Sequence, residues 1–435
     1  MLMSRKGWIP VALAAVQWLF FMFANTIVIP ISVAAAFHLT GDQMMAALRC
    51  SFIVTGAGSI LQAIFGHKYA LLEGPQGIWW TLIIGLSSLS STMGMTMSDV
   101  GGSLAVGIFL SGLLTVVLGV TGWSQTIMRG FTTYSITVYL FLLTTQLIFV
   151  FFDGMIVREG NVQVNGAETL VSFFLIGLVS WLSLKGTGWY RNFAILIGIL
   201  VGWVVYLVAF PASIPESTVS DSHLFVIFPW GTPHLSVGII IVSLLAGLIN
   251  MANSVASITS AEKIYGRVTT KSQYKRSFVL TGLYTSVSAL FGIVPYGPYT
   301  STIGFLESTR ILRRLPFVLG GGVFVLIGLN PSVSSLFITL PVSVGSAVLF
   351  VAFLQMLGTV FRNIKAYTLD SLVVYRLGLP IMTGLSIMHM PKGIFSSLPV
   401  VLQPLLSNGF LAGVLLSILL EFGFGCKNIK KHKKA

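Results

Sequence analysis

Glu73-Gly74-Pro75-Gln76-Gly77 interrupts one apolar segment of this chain, and Pro295-Tyr296-Gly297-Pro298-Tyr299 leads into another. Proline removes a backbone donor and clashes with the preceding helical turn, and glycine loosens the backbone, so neither stretch continues a helix. A membrane interior tolerates the freed N–H and C=O groups only where protein shields them or a cavity faces them. Pro75 and Pro298 are 223 residues apart in a chain of 435, close to half its length. Breaks at corresponding places in two halves point to a transporter whose binding site lies near the bilayer midplane between them.

The composition around the breaks fits that reading. Hydrophobic residues make up 55% of the chain and charged residues 9%, whereas a soluble domain carries about 25% charged residues. So little charge cannot cover a water-facing surface, so the solvent is largely lipid. At about 20 apolar residues per span, fourteen segments are expected: 8–31, 44–66, 70–90, 102–123, 131–152, 168–184, 192–210, 236–261, 277–294, 299–313, 316–329, 336–359, 370–387 and 397–422. The first apolar run, Trp8 to Phe37, exceeds the roughly 7–15 residues of a signal-peptide core, so it reads as a first span and not a cleaved leader. Cys50 and Cys426 suggest neither a disulfide framework nor a metal site.

Charge placement tests the count. With a cytoplasmic N-terminus, 21 of the 25 Lys and Arg fall in inside loops or in the basic tail from Lys427 to Lys434. Only Arg158 and Lys392 fall outside, while Arg49 and Arg376 sit at segment ends, and the loop 211–236 has no Lys or Arg. Basic residues concentrate on the cytoplasmic side of membrane proteins. The asymmetry therefore predicts an even number of spans, with both termini cytoplasmic. It also accounts for the net charge of +13 without nucleic acid. The breaks fall in segments three and ten, seven apart, and seven is odd. The expected fold is an all-α polytopic membrane protein of two inverted seven-segment repeats, with segments 3 and 10 broken by short extended stretches.

Polar residues at membrane depth mark candidate contacts. In segment eight, Asn250, Asn253, Ser254 and Ser257 recur at spacings of three and four, so they share one helix face. They either bind a solute or join helices by hydrogen bonds. Tyr299-Thr300-Ser301-Thr302 follows the second break, at the start of a half-helix whose free N–H groups can meet a ligand. Gln17 and Asn25 lie eight residues apart on segment one, with packing the expected role of Asn25. Two acids are placed for coupling. Glu73 adjoins the first break with no local basic partner, and Glu307 has Arg310 three residues on, the spacing of a helix-surface ion pair. The six histidines lie at segment ends or in loops, and no HExxH, GxSxG or Asp/His cluster is present. An enzyme is not expected, and neither a metal nor a cofactor is called for.

The block from Pro295 to Arg310 resembles the nucleobase transporter family, the uracil–xanthine permease and nucleobase–ascorbate group, and the similarity covers nearly the whole chain. Gly304, Thr309 and Arg310 match the family signature, while Ser301 stands where Glu or Gln is usual and Thr302 where Asn is usual. Pro229-Trp230-Gly231-Thr232-Pro233-His234 resembles the family's entry to segment eight, and Gln17-Trp18 its Gln-His pair. Asn253 stands where the family carries a substrate-binding Glu, and Ser257 where His or Asp is common. These departures mark a divergent member.

The resemblance implies a core domain (1–124 and 235–334), a gate domain (125–234 and 335–422) and a basic cytoplasmic tail (423–435). It implies a secondary active transporter of the cell membrane that takes up a nucleobase such as a purine or uracil, coupled to a proton, by alternating access. Substrate contacts are expected from Asn253, Ser301, Thr300, Tyr299, Gln76, Gly77, Gln17 and Ser257, and proton coupling from Glu73 or Glu307. Asn253 offers both an acceptor and two donors to an amide-like base edge. Two other readings stay open. An anion permease of the same fold usually carries a soluble C-terminal domain, which a chain ending shortly after segment fourteen would lack. A passive channel would fit the missing acids. A homodimer is also compatible.

Overall fold

A computed structural model describes residues 8–91, 93–122, 132–156, 166–187, 189–210, 224–365, 367, 370–399 and 401–423. Arg5, Lys6, Arg129, Arg158 and the basic tail therefore lie outside the described residues. The order begins α1 (Trp8–Thr26), α2 (Val28–Ala36), α3 (Gly41–Ile64), β1 (Glu73–Pro75), α4 (Gly77–Ser87), α5 (Met97–Thr121), α6 (Thr133–Ile156), α7 (Gly166–Lys185), α8 (Trp189–Asn192) and α9 (Ala194–Ala209). It continues with α10 (Val237–Tyr265), α11 (Lys271–Phe291), β2 (Tyr296–Pro298), α12 (Ser301–Thr309), α13 (Arg314–Leu329), α14 (Pro331–Ile338), α15 (Val342–Lys365), α16 (Ser371–His389), a 3-10 turn (Lys392–Ser397), α17 (Gln403–Leu406) and α18 (Gly409–Gly423).

Local chemistry sets many of these bounds. Thr40 with Gln43, Thr96 with Asp99 and Thr270 with Gln273 form capping boxes that start α3, α5 and α11. Gly122, Gly266 and Gly292 end α5, α10 and α11 in the left-handed conformation. Pro30 cannot bond back to Thr26, which accounts for the interruption between α1 and α2. Cations cap helix ends from neighbouring helices. Arg49 donates to the carbonyls of Gly328 (3.0 Å) and Leu329 (3.1 Å), Arg314 to Ala63 (3.0 Å) and Lys275 to Val120 (3.1 Å). Arg376 forms a buried ion pair with Glu421 and lies 4.0 Å from the centre of the Tyr134 ring.

Eight described helical runs are long and apolar enough to cross a membrane: Trp8–Ala36, Gly41–Ile64, Met97–Thr121, Thr133–Ile156, Gly166–Lys185, Val237–Tyr265, Val342–Lys365 and Ser371–His389. Several expected segments come out shorter. Segment three is extended through residues 73–75 before an 11-residue helix, and segment ten holds only the nine residues of α12. The helix of segment fourteen begins at Gly409, not near residue 397, because Lys392–Ser397 and Gln403–Leu406 form separate short turns. Segment nine, α11, is less apolar because it opens on Lys271, Gln273, Lys275 and Arg276 and its buried face carries Ser277, Thr281, Thr285 and Ser288.

The most extensive packings fall into two sets. α5 packs on α11 and α10, and α13 on α3 and α1. Separately, α15 packs on α6 and α7, α18 on α16 and α6, and α9 on α7. Close crossings rely on missing side chains: a Cβ on Gly56 of α3 would lie 2.5 Å from the Gly321 carbonyl of α13, and one on Gly282 of α11 would lie 2.6 Å from the Gly112 carbonyl of α5. β1 and β2 form a two-stranded antiparallel ladder between the halves of the chain, pairing Glu73 with Pro298, Gly74 with Gly297 and Pro75 with Tyr296. Gln76 N–H donates to the Pro295 carbonyl and Tyr299 N–H to the Leu72 carbonyl, both at 2.9 Å, and these bonds extend the ladder at each end. Thus the backbone groups freed by the two breaks satisfy each other, as burial requires.

Candidate functional site

The ladder puts the starts of two half-helices side by side. Gln76 precedes α4 and Thr300 precedes α12, and neither side chain caps its own helix. Both turn instead toward α10, whose polar face lies along β2. Asn250 Nδ2 donates to the Tyr296 carbonyl at 3.0 Å, and Ser257 Oγ to the Pro298 carbonyl at 3.1 Å. Between them, Asn253 Nδ2 donates to Gln76 Oε1 at 2.7 Å, and Thr300 Oγ1 donates to Asn253 Oδ1 at 3.2 Å. The Ser257 and Thr300 hydroxyls lie 2.9 Å apart, so the Thr300 hydrogen can turn to Ser257 instead of Asn253. Gln76 Nε2 closes the cluster on the Gly297 carbonyl at 2.5 Å. The helical spacing of Asn250, Asn253 and Ser257 is what lets one face of α10 reach three successive points of the broken backbone.

Tyr299 lies over the first break. Its hydroxyl lies within hydrogen-bonding distance of the Pro75 carbonyl and, at 3.3 Å, of the Asn25 carbonyl, and its one hydrogen is shared between these two acceptors. Its ring fills the space where Gly74 lacks a side chain, since a Cβ there would lie 2.4 Å from Tyr299 Cε2. The asparagine side chain of Asn25 bonds only within α1, to the Phe21 carbonyl at 2.8 Å.

Of the expected substrate contacts, Gln76, Asn253, Ser257, Thr300 and Tyr299 are brought together. Three others stand apart. Gln17 is half-buried, and no described hydrogen bond joins it to the cluster. Its neighbour Trp18 is fully buried against Phe305 and Phe317. Gly77 faces Leu143 and Leu147 of α6, not α10. Ser301 is exposed on α12, on the same side as exposed Gly304, because a residue three positions past β2 has already entered the helix and turned away. Sequence reasoning put Asn250 on the polar face but not at the site, where it holds β2 directly. It named Thr302 after the second break but not among the expected contacts, and Thr302 Oγ1 accepts from the Leu72 N–H at 3.4 Å. A hydroxyl at the second helical position is a common capping signal that carries no mark of its distant partner.

The two acids divide. Glu73 is fully buried, and Thr281 of α11 donates to its Oε1 at 2.9 Å. The side chain of Glu307 lies outside the described residues, and Arg310 leaves α12 with φ of 56°. His67 is fully buried beyond the end of α3, and burial first and then the neighbouring Arg267 push its imidazole down to about 3. Among the described residues no group of three or more His, Cys, Asp or Glu could hold a metal ion.

The fold is shared with solved transporters. The transmembrane domain of the cyanobacterial bicarbonate transporter BicA superposes with a TM-score of 0.60 at 14% identity, covering 93% of this chain and 95% of that one. Murine Solute Carrier 26 family member A9, an anion transporter, gives 0.63 at 10% identity over 96% of this chain and 69% of its own. Sequence relatives are closer. YwdJ of Bacillus subtilis (strain 168), named as a candidate purine permease, is 28% identical over 93% of this chain and 94% of its own length. The uric acid permease PucJ of the same organism is 24% identical over 96% and 93%. The uric acid transporter UacT of Escherichia coli (strain K12) is 20% identical over 94% and 84%. A model of the permease family that includes the xanthine and uracil permeases matches residues 10–393. With that match over most of its length, and with several helices apolar enough to span a bilayer, the chain belongs to the xanthine–uracil permease family and is a multi-pass membrane protein.

Proposed function

We propose that this permease is a secondary active transporter for a nucleobase, a purine or uracil, which it takes up with a proton by alternating access. The observation that carries the reading is the amide pair Gln76–Asn253 at the crossing of two broken segments. Each amide offers both donors and acceptors, and a base presents the same alternation along its edge. Binding exchanges the internal Gln76–Asn253 and Thr300–Asn253 bonds for bonds to the base, so few polar groups go unpaired in either state. No Lys or Arg belongs to the described cluster, which favours a neutral heterocycle over a small inorganic anion. Relatives named for purines, uric acid and xanthine support the same substrate class.

The architecture we propose has fourteen spans in two inverted repeats, with a core of residues 1–124 and 235–334 moving against a gate of 125–234 and 335–422. The pattern of packing supports it. Shifting by seven segments, forward for α3 and α1 and back for α13, converts the α3–α13 pair into α11–α5 and the α1–α13 pair into α10–α5. The test of function is uptake of labelled uracil, xanthine, hypoxanthine, guanine, adenine and uric acid into a host lacking its own base transporters. Accumulation of at least one base above the empty host is expected, and none above it refutes the reading. A reporter fused after Ala435 should read as cytoplasmic, and an extracellular reading refutes the fourteen-span topology.

A further inference from the structure

β1 presents opposite faces to two different polar clusters. Side chains alternate along a strand. Gln76, at the end of the strand, reaches Asn253 of α10, whereas Glu73 reaches Thr281 of α11. The backbone of Glu73 is held as well: its N–H donates to Ser59 Oγ at 3.0 Å, and that hydroxyl faces the Glu73 carbonyl at 3.4 Å. Behind Thr281 stands Gln62, whose Nε2 donates to Thr281 Oγ1 at 3.0 Å and to the Ser277 carbonyl at 3.1 Å. A carbonyl can only accept, so the amide nitrogen is the atom that faces Ser277, and both donors of Gln62 are spent.

Thr281 donates to Glu73 Oε1, the Gln62 side chain also reaches the carboxyl, and Glu73 Oε2 and Gln62 Oε1 are both buried with no assigned partner among the described residues. No described ion pair reaches Glu73. The titratable groups that face it are the phenols Tyr284 of α11 and Tyr296 of β2, with no described Lys, Arg or second carboxylate. An ionised carboxylate has about four acceptor sites and carries a charge that a buried site must match. A carboxylic acid is neutral and turns one oxygen into a donor, for which Gln62 Oε1, likewise buried without a partner on a side chain that reaches the carboxyl, is the available acceptor.

We propose that Glu73 is the proton-binding group of this permease, and that the proton and the base occupy opposite faces of the same three-residue strand. This rests on the transport reading above and deepens it. Binding forms the O–H bond at Oε2 with a proton taken from water. Release breaks that bond, returns the proton to water and leaves a carboxylate beside Thr281. Because Glu73 opens the three-residue strand and Gln76 directly follows it, the protonation state of Glu73 bears on the position of Gln76 without the proton entering the base site. His67, held neutral at working pH, is no alternative carrier.

The experiment uses the full chain, purified into lipid vesicles, with the transported base as probe. Infrared spectra at neutral pH should contain a protonated-carboxyl C=O band that is lost in Glu73→Gln and shifted in Thr281→Val, which keeps the carboxyl and removes its donor. Accumulation driven by an imposed pH gradient should fall at least about tenfold in Glu73→Gln, while base-for-base exchange persists. A wild-type spectrum lacking a band sensitive to Glu73→Gln overturns the proposal, as does gradient-driven accumulation surviving that substitution. If Glu73→Gln fails to fold, the Thr281→Val band decides: a shift supports the assignment and an unmoved band overturns it. Failure of the wild type to move any base would refute the transport reading instead, and the spectra would still report whether Glu73 holds a proton.

Discussion

The two broken segments share a backbone plan and differ in chemistry. An offset of 223 residues aligns Gly74-Pro75 with Gly297-Pro298, and with them Glu73 with Tyr296 and Gln76 with Tyr299. The contacts follow the alignment. Glu73 meets Thr281 of α11, while Tyr296 meets Thr55 of α3 at 3.2 Å and donates to the Ser51 carbonyl at 3.0 Å. Gln76 meets the side chain of Asn253 on α10, while Tyr299 meets the backbone carbonyl of Asn25 on α1. The second break thus carries phenols whose bonds are satisfied within the fold. The first carries an acid with an unpartnered oxygen and an amide with exchangeable partners. The comparison teaches that the repeated plan supplies a crossing point, and that departure from symmetry at positions 73 and 76 supplies the chemistry.

The glycines of the two strands give the largest expected difference. Gly74→Ala drives a Cβ into the Tyr299 ring, which Pro75 and Asn25 hold in place. Gly297→Ala meets Gln76 Cγ at 3.1 Å, a side chain that can move. Overpacking of the rigid kind costs about 1–3 kcal/mol. Thermal unfolding of the purified protein should therefore show Gly74→Ala clearly below wild type and Gly297→Ala much nearer to it. Equal losses would mean that Tyr299 is no more fixed than Gln76.

Next come the two asparagines. Asn253→Ala removes the partner of the buried Gln76 Oε1 and leaves Thr300 only its bond to Ser257, and an orphaned buried polar group costs about 1–3 kcal/mol. Uptake should fall about tenfold or more at normal membrane abundance, since 1.4 kcal/mol is a factor of ten. Asn25→Ala loses only a bond within its own helix, so its uptake should stay close to wild type. Comparable losses would move the site toward α1. The smallest effect on uptake belongs to Tyr296→Phe, which gives up the bonds to Thr55 and the Ser51 carbonyl, a stability cost of about 1–3 kcal/mol away from the base. It should leave the pH dependence of uptake unchanged. A shifted pH profile would give the second break a share in proton binding.

Much of this was legible because it is written locally. Gly and Pro announce the breaks, and the spacing of Asn250, Asn253 and Ser257 announces a polar face. What the sequence hides is long-range pairing. Nothing near Leu72 says that its carbonyl will accept from Tyr299, 227 positions on. Thr281 reads as one hydroxyl among many on α11, and only the fold brings it to Glu73. The short helix α12 misled in a different way. Its apolar flanks, Ile311 and Leu312, extend the hydrophobic run, but Arg310 turns the backbone left-handed and ends the helix. Ser301 and Gln17 carry polar groups of the right kind on faces that the described cluster does not use.

The central claim is that base recognition lies on the Gln76–Asn253 side of β1 and proton binding on the Glu73 side. Equilibrium binding of the transported base to the purified protein at neutral pH tests it most directly, with wild type, Asn253→Ala and Glu73→Gln compared. The account predicts a Kd about tenfold weaker or more in Asn253→Ala and near wild type in Glu73→Gln. Undiminished binding by Asn253→Ala would contradict it.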